Sequence, residues 1–135
     1  MYFSGEGTAK DAARAAGIYA EMLDAAPVKA GNMLAWIRAT HPDATLRDGE
    51  AAVRLARAVV ARAPGPDHQD TLAAALAEYG DYEAAVRVQR EALALLDGEA
   101  DPGLLGRDVR ARRARLQERL QRYEAGRPWR EVGDT

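Results

Sequence analysis

Few side chains in this 135-residue chain could carry chemistry by themselves. It has no cysteine, which excludes disulfides, thiolate nucleophiles and Cys-ligated metals. The two histidines, His41 and His68, fall in separate expected loops, and no HExxH spacing surrounds them, so no metal site is expected. Carboxylates are plentiful: Asp43, Asp48, Asp67, Asp70, Glu78, Asp81 and Glu83. Most stand at helix starts, where they answer free backbone N–H groups and the helix dipole. A catalytic pair would need one carboxylate held in a pocket with a raised pKa, and nothing in the spacing places one. Gly5-Glu6-Gly7-Thr8-Ala9-Lys10 follows no strand and lacks the spacing of a phosphate loop. The expectation is a chain with no catalytic residues and no cofactor, and therefore not an enzyme.

Arginine is the one concentrated chemistry. Residues 107–135 carry +4, whereas residues 1–106 carry −6, for a net charge of −2. A near-neutral total argues against a generic polyanion binder. Arg107, Arg110, Arg112, Arg113, Arg115, Arg119 and Arg122 share one expected helix. The plain reading is a solvated outer face that also suits the helix C-terminus. Two others remain open. Arg110, Arg112, Arg113, Arg115 and Arg119 could form a phosphate-contacting patch for nucleic acid or a phosphorylated partner. Alternatively, the arginines pair with the acidic part of the chain or with a second subunit. Aromatic interleaving is limited to Tyr123 and Trp129, so nucleic acid is the weaker expectation.

These side chains must be positioned by helices. Thirty alanines, one phenylalanine and few β-branched residues predict an all-α chain with close helix–helix contact. Residues 1–7 read as a lead-in. A first helix covers 8–26, opened by Thr8 with Asp11 three residues on, and Pro27 follows its end. A second runs from Lys29 to Thr40, and Pro42 stops it at His41. Asp48 caps a third, which ends before Pro64-Gly65-Pro66. Asp67 caps a fourth, Gly80 ends it in the left-handed conformation, and Asp81 caps a fifth through Leu96. In the fifth, Glu83 and Arg87 form an expected i, i+4 pair. Pro102 opens a last helix over 102–125, with Leu105, Val109, Leu116, Leu120 and Tyr123 inward. Residues 131–135 are a tail. No apolar run is long enough for a membrane span, and the first residues lack a signal-peptide pattern, so the expected location is cytoplasmic.

Two of these helix pairs repeat. Glu50-Ala51-Ala52-Val53-Arg54 matches Glu83-Ala84-Ala85-Val86-Arg87 at an offset of 33, and Leu34-Ala35 matches Leu72-Ala73 at 38. Leu72-Ala73, Gly80-Asp81-Tyr82, Ala85 and Ala92 together resemble the tetratricopeptide repeat (TPR). Leu34-Ala35, Ala52 and Pro64 carry the same pattern in the other copy. The stretch from Leu34 to Gly49 and the ending Tyr123 to Arg130 are similar to the C-terminal repeat segments of bacterial members of that family. Gln89 departs from the pattern, since a large apolar or aromatic residue is usual there. The resemblance implies a right-handed α-solenoid of antiparallel hairpins over 8–130: a partial repeat helix at 8–26, repeats at 29–63 and 67–96, and a capping helix at 102–125. The first helix lacks an upstream partner, as expected at the truncated end of a longer array.

By the same resemblance, the expected function is a non-catalytic interaction module that binds a protein or peptide segment in a concave groove. The groove positions are Lys29, Asn32, Trp36 and Thr40, then Asp67, Asp70, Ala74 and Glu78. Of these, Lys29, Asn32, Trp36, Asp70 and Glu78 are the candidate contacts. Trp36 either packs on the long loop or anchors a partner in the groove. Family members that grip a terminal carboxylate use Lys, Asn and Arg on this face. Asp70 and Glu78 oppose that, so a basic or mixed segment is the expected ligand. Self-association through the first helix is the remaining alternative.

Overall fold

The computed structural model describes residues 9–99 and 106–131. It holds α1 (Ala9–Met22), α2 (Pro27–Thr40), a short 3-10 turn (Ala44–Leu46), α3 (Gly49–Arg62), α4 (Pro66–Tyr79), α5 (Tyr82–Glu99) and α6 (Gly106–Glu124). The described residues contain no strand, so the all-α expectation holds. The lead-in 1–7, the Thr8 cap, Pro102 and Leu105 lie outside the described residues.

Local chemistry sets most boundaries. Asp48 accepts from the Ala51 N–H at 3.1 Å, and Asp81 accepts from the Ala84 N–H at 3.1 Å, so both caps form as expected. Gly80 sits at φ 104°, where its N–H and that of Asp81 take up the carbonyls of Leu76 and Ala77. Gly126, at φ 71°, closes α6 in the same way. Two boundaries and one expected ion pair differ. Pro27 does not trail α1 but opens α2, because a fixed φ and a missing N–H suit a first helical position. Pro66 does the same for α4, so Asp67 lies inside the first turn and is not its cap. In α5, Glu83 and Arg87 are both exposed and form no ion pair.

Helices adjacent in sequence pack on one another, and α2 also packs on α4. Short connections make consecutive helices antiparallel. The two sequence offsets join positions of matching burial. Ala35 and Ala73 are fully buried, as are Ala52 and Ala85, and Leu34 and Leu72 are nearly so. The small side chains let backbones approach closely. A Cβ on Gly49 would stand 2.9 Å from the Tyr79 Cα, so the start of α3 touches the end of α4. One apolar cluster runs from Ala35 and Trp36 through Ala73–Ala77 to Ala85 and Tyr123. A second, of Ala92, Leu93, Leu96, Leu116 and Leu120, fastens α6 to α5. A third ties α1 to α2 through Ala16, Leu34 and Ile37.

Candidate partner-binding face

The helical period puts Asp67, Asp70, Ala74 and Glu78 on one line of α4. Arg112 of α6 bonds Asp67 at 2.9 Å, and Arg119 pairs with Asp70. Beyond α6, Arg130 bonds Glu78 at 2.7 Å. Contacts therefore ascend together along both chains, so α6 runs in the direction of α4. The segment Arg127–Glu131 then crosses the C-terminal ends of α4 and α2. Its Glu131 N–H donates to the Thr40 carbonyl at 2.8 Å, a main-chain bond onto the last residue of α2.

Asp70 is the centre of the face. Its side chain is 9% exposed, and Arg119 and the Gln89 amide both donate to it. Gln89 also donates to the Leu116 carbonyl of α6 at 2.9 Å. Burial raises the Asp70 pKa, against the pull of Arg119 and Gln89. Arg119 itself is sandwiched. Its guanidinium lies 4.9 Å from the centre of the Trp36 ring and 5.1 Å from that of Trp129, which adds cation–π attraction on both sides. Arg122 stands 5.9 Å from the Trp129 ring and donates to the Pro128 carbonyl. Burial also pushes the neighbouring Tyr123 phenol well above its ordinary range. Around this centre, Trp36 Nε1, Gln89 Oε1, Arg119 Nε, Tyr123 Oη and Trp129 Nε1 are buried and bond no other protein group.

At its other end the face is tied to the long loop. Arg47 bonds Glu78 at 3.3 Å and donates to the carbonyls of His41 and Pro42. The Asp43 N–H donates to His41 Nδ1, and burial holds the His41 imidazole below its usual pKa. His41 serves the loop after α2, whereas His68 lies not in a loop, as expected, but in the first turn of α4, because Pro66 opens that helix early; His68 Nδ1 lies 2.6 Å from the Ala63 carbonyl. The described residues include no cluster of three or more potential metal ligands.

The structure brings Trp36, Asp70 and Glu78 together and places the chain's own residues over them. Trp36 is 6% exposed within the core, beneath Arg119. Asn32 is half-buried with an unpartnered Oδ1, and Lys29 is exposed one turn before it. The arginine stripe is not uniformly solvated. Arg112 and Arg119 engage α4, Arg113 bonds Asp97 of α5 at 2.9 Å, and only Arg110 and Arg115 of the five patch candidates face solvent unpaired. Three of the five patch candidates thus pair with carboxylates of the chain. Sequence reading missed Gln89 and Arg130 as members of the face. The signal for Gln89 was its polarity at a position expected to be apolar.

Comparison of the chain with family models, with curated proteins and with solved structures yields no match. No helix among the described residues is long and apolar enough to cross a membrane.

Proposed function

We propose that this chain is a non-catalytic protein-interaction module, a short TPR-like array whose α2/α4 face takes up an extended protein or peptide segment. A cytoplasmic setting belongs to the same proposal. The observation that carries it is the seating of Arg127–Glu131. The segment lies across the C-terminal ends of both helices, held by a main-chain hydrogen bond to Thr40, an ion pair to Glu78, and contacts of Pro128 and Trp129 with Arg119 and Arg122 of α6. Those are the three elements of peptide recognition on a helical scaffold: main-chain registry, charge and an aromatic anchor. The pairing of Arg112, Arg113 and Arg119 with carboxylates of the chain weighs against nucleic-acid binding.

The test is an unbiased peptide library panned on the full chain carrying W129A and R130A, which loosens the seated segment. Peptides should be recovered that bind this variant and compete with one another for a single site. A library that yields no competing binders, on a variant with the wild-type helical signal, would remove the interaction role from this face.

A further inference from the structure

We infer that Arg127–Glu131 is an intramolecular ligand, and that the partner segment for the same face is one with an aromatic residue followed by arginine. The inference rests on the peptide-binding reading above and names its ligand chemistry. Each element of the seat has a matching demand. Trp36 and Arg119 offer an aromatic–guanidinium shelf for a flat side chain. Glu78 offers a carboxylate whose second oxygen is already held by Arg47, which orients it toward an incoming cation. The Thr40 carbonyl offers a main-chain acceptor just past this contact. Trp129, Arg130 and the Glu131 N–H fill these in order.

Two features mark the seated segment as removable. None of its residues is buried: Arg127 is exposed and residues 128–131 are half-buried. It is also connected to α6 through Gly126 in the left-handed region, a single-residue joint about which the segment can leave while α6 stays fixed by Leu116 and Leu120. Helix α6 is thus the permanent wall and 127–131 the exchangeable occupant.

Tethering explains how such a site would be tuned. A short linker presents its own segment at an effective concentration of about 1 mM. If the free segment binds with a Kd of about 10 µM, the site is self-filled about 99% of the time, and an outside ligand sees an apparent Kd about a hundredfold weaker. Only a partner presented locally or multivalently would then displace it.

The experiment uses the full chain and a fluorescein-labelled peptide of residues 125–131, followed by fluorescence polarisation. The W129A/R130A chain should bind this peptide at least tenfold more tightly than wild type. The same peptide with Trp129 and Arg130 both replaced by Ala should lose binding, and adding E78Q to the W129A/R130A chain should weaken it severalfold. Equal binding to wild type and variant, or none to either, overturns the inference. If the library above nonetheless yields competing peptides of another chemistry, the face binds peptides and only the ligand assignment falls. Light scattering covers the remaining occupant: a wild-type dimer that dissolves in W129A/R130A would mean the segment serves a second copy, and would also overturn it.

Discussion

The two hairpins share a frame and differ along their inner line. In α2–α3 the line reads Asn32, Trp36 and Thr40, backed by Ala56; in α4–α5 it reads Asp70, Ala74 and Glu78, backed by Gln89. The alanine seam is the same in both, with Ala35, Ala52, Ala73 and Ala85 fully buried. The second hairpin carries buried charge, however, and α6 with its following segment answers that charge. The first hairpin contributes an aromatic surface and the Thr40 carbonyl, which accepts from the Glu131 N–H. The difference separates two jobs that one repeat pattern can hide: small residues hold the hairpins together, and the polar line decides what lies on them.

The largest expected effect breaks this contrast at its centre. Arg119→Met should cost about 3–4 kcal/mol in urea unfolding, because it leaves the Asp70 carboxylate buried without its cation. Asn32→Ala, at the corresponding place in the first hairpin, should cost less than about 1 kcal/mol. Replacing Asp70, Gln89 and Arg119 together by Leu, Leu and Met should recover most of the loss, since an apolar set removes the desolvation penalty along with the pair. A next, smaller effect tests the shared frame. Ala52→Leu and Ala85→Leu should each cost about 1–3 kcal/mol by overpacking, and agree within about 1 kcal/mol. A large disparity would mean the two seams are not equivalent.

The turns sharpen the comparison further. Gly80→Ala should cost about 1–2 kcal/mol, because φ of 104° opposes a Cβ. The long loop of the first hairpin holds no such residue. Asp48→Ala and Asp81→Ala should cost about 1 kcal/mol each, as caps common to both. The smallest effect is pH dependence. The folded-state pKa of Asp70 is raised by burial, so its contribution is fully present below the ordinary carboxylate value of 3.8 and is lost as pH rises through the folded pKa. The stability of wild type relative to Asp70→Asn should therefore decline from pH 3.5 upward and then level off, as read from urea titrations across that range.

The helices of the described residues, two of the three expected aspartate caps (Asp48 and Asp81, not Asp67), Gly80 and the matched burial of the two copies were legible in the sequence, because each depends on neighbours within a few residues or on a repeat spacing. The face was legible only in part. Helical spacing put Trp36, Asp70 and Glu78 on one side, yet their occupants come from Arg119, Trp129 and Arg130, about 50 residues away for the two carboxylates. Distant pairing of that kind leaves no periodic trace. Gln89 shows the limit well: a polar residue at an apolar position announces a buried partner without saying which carboxylate it is. Pro27 and Pro66 were misplaced for a local reason, since a proline ends one helix or begins the next with equal ease.

Hydrogen exchange of the Glu131 amide interrogates the self-filled face most directly. That N–H should be protected in the wild-type chain through its bond to Thr40. It should lose protection when the 125–131 peptide is added to saturation, while the amides of α4 and α5 exchange as before. Protection that persists under saturating peptide, or that disappears only together with the helices, would show the segment to be a fixed part of the fold.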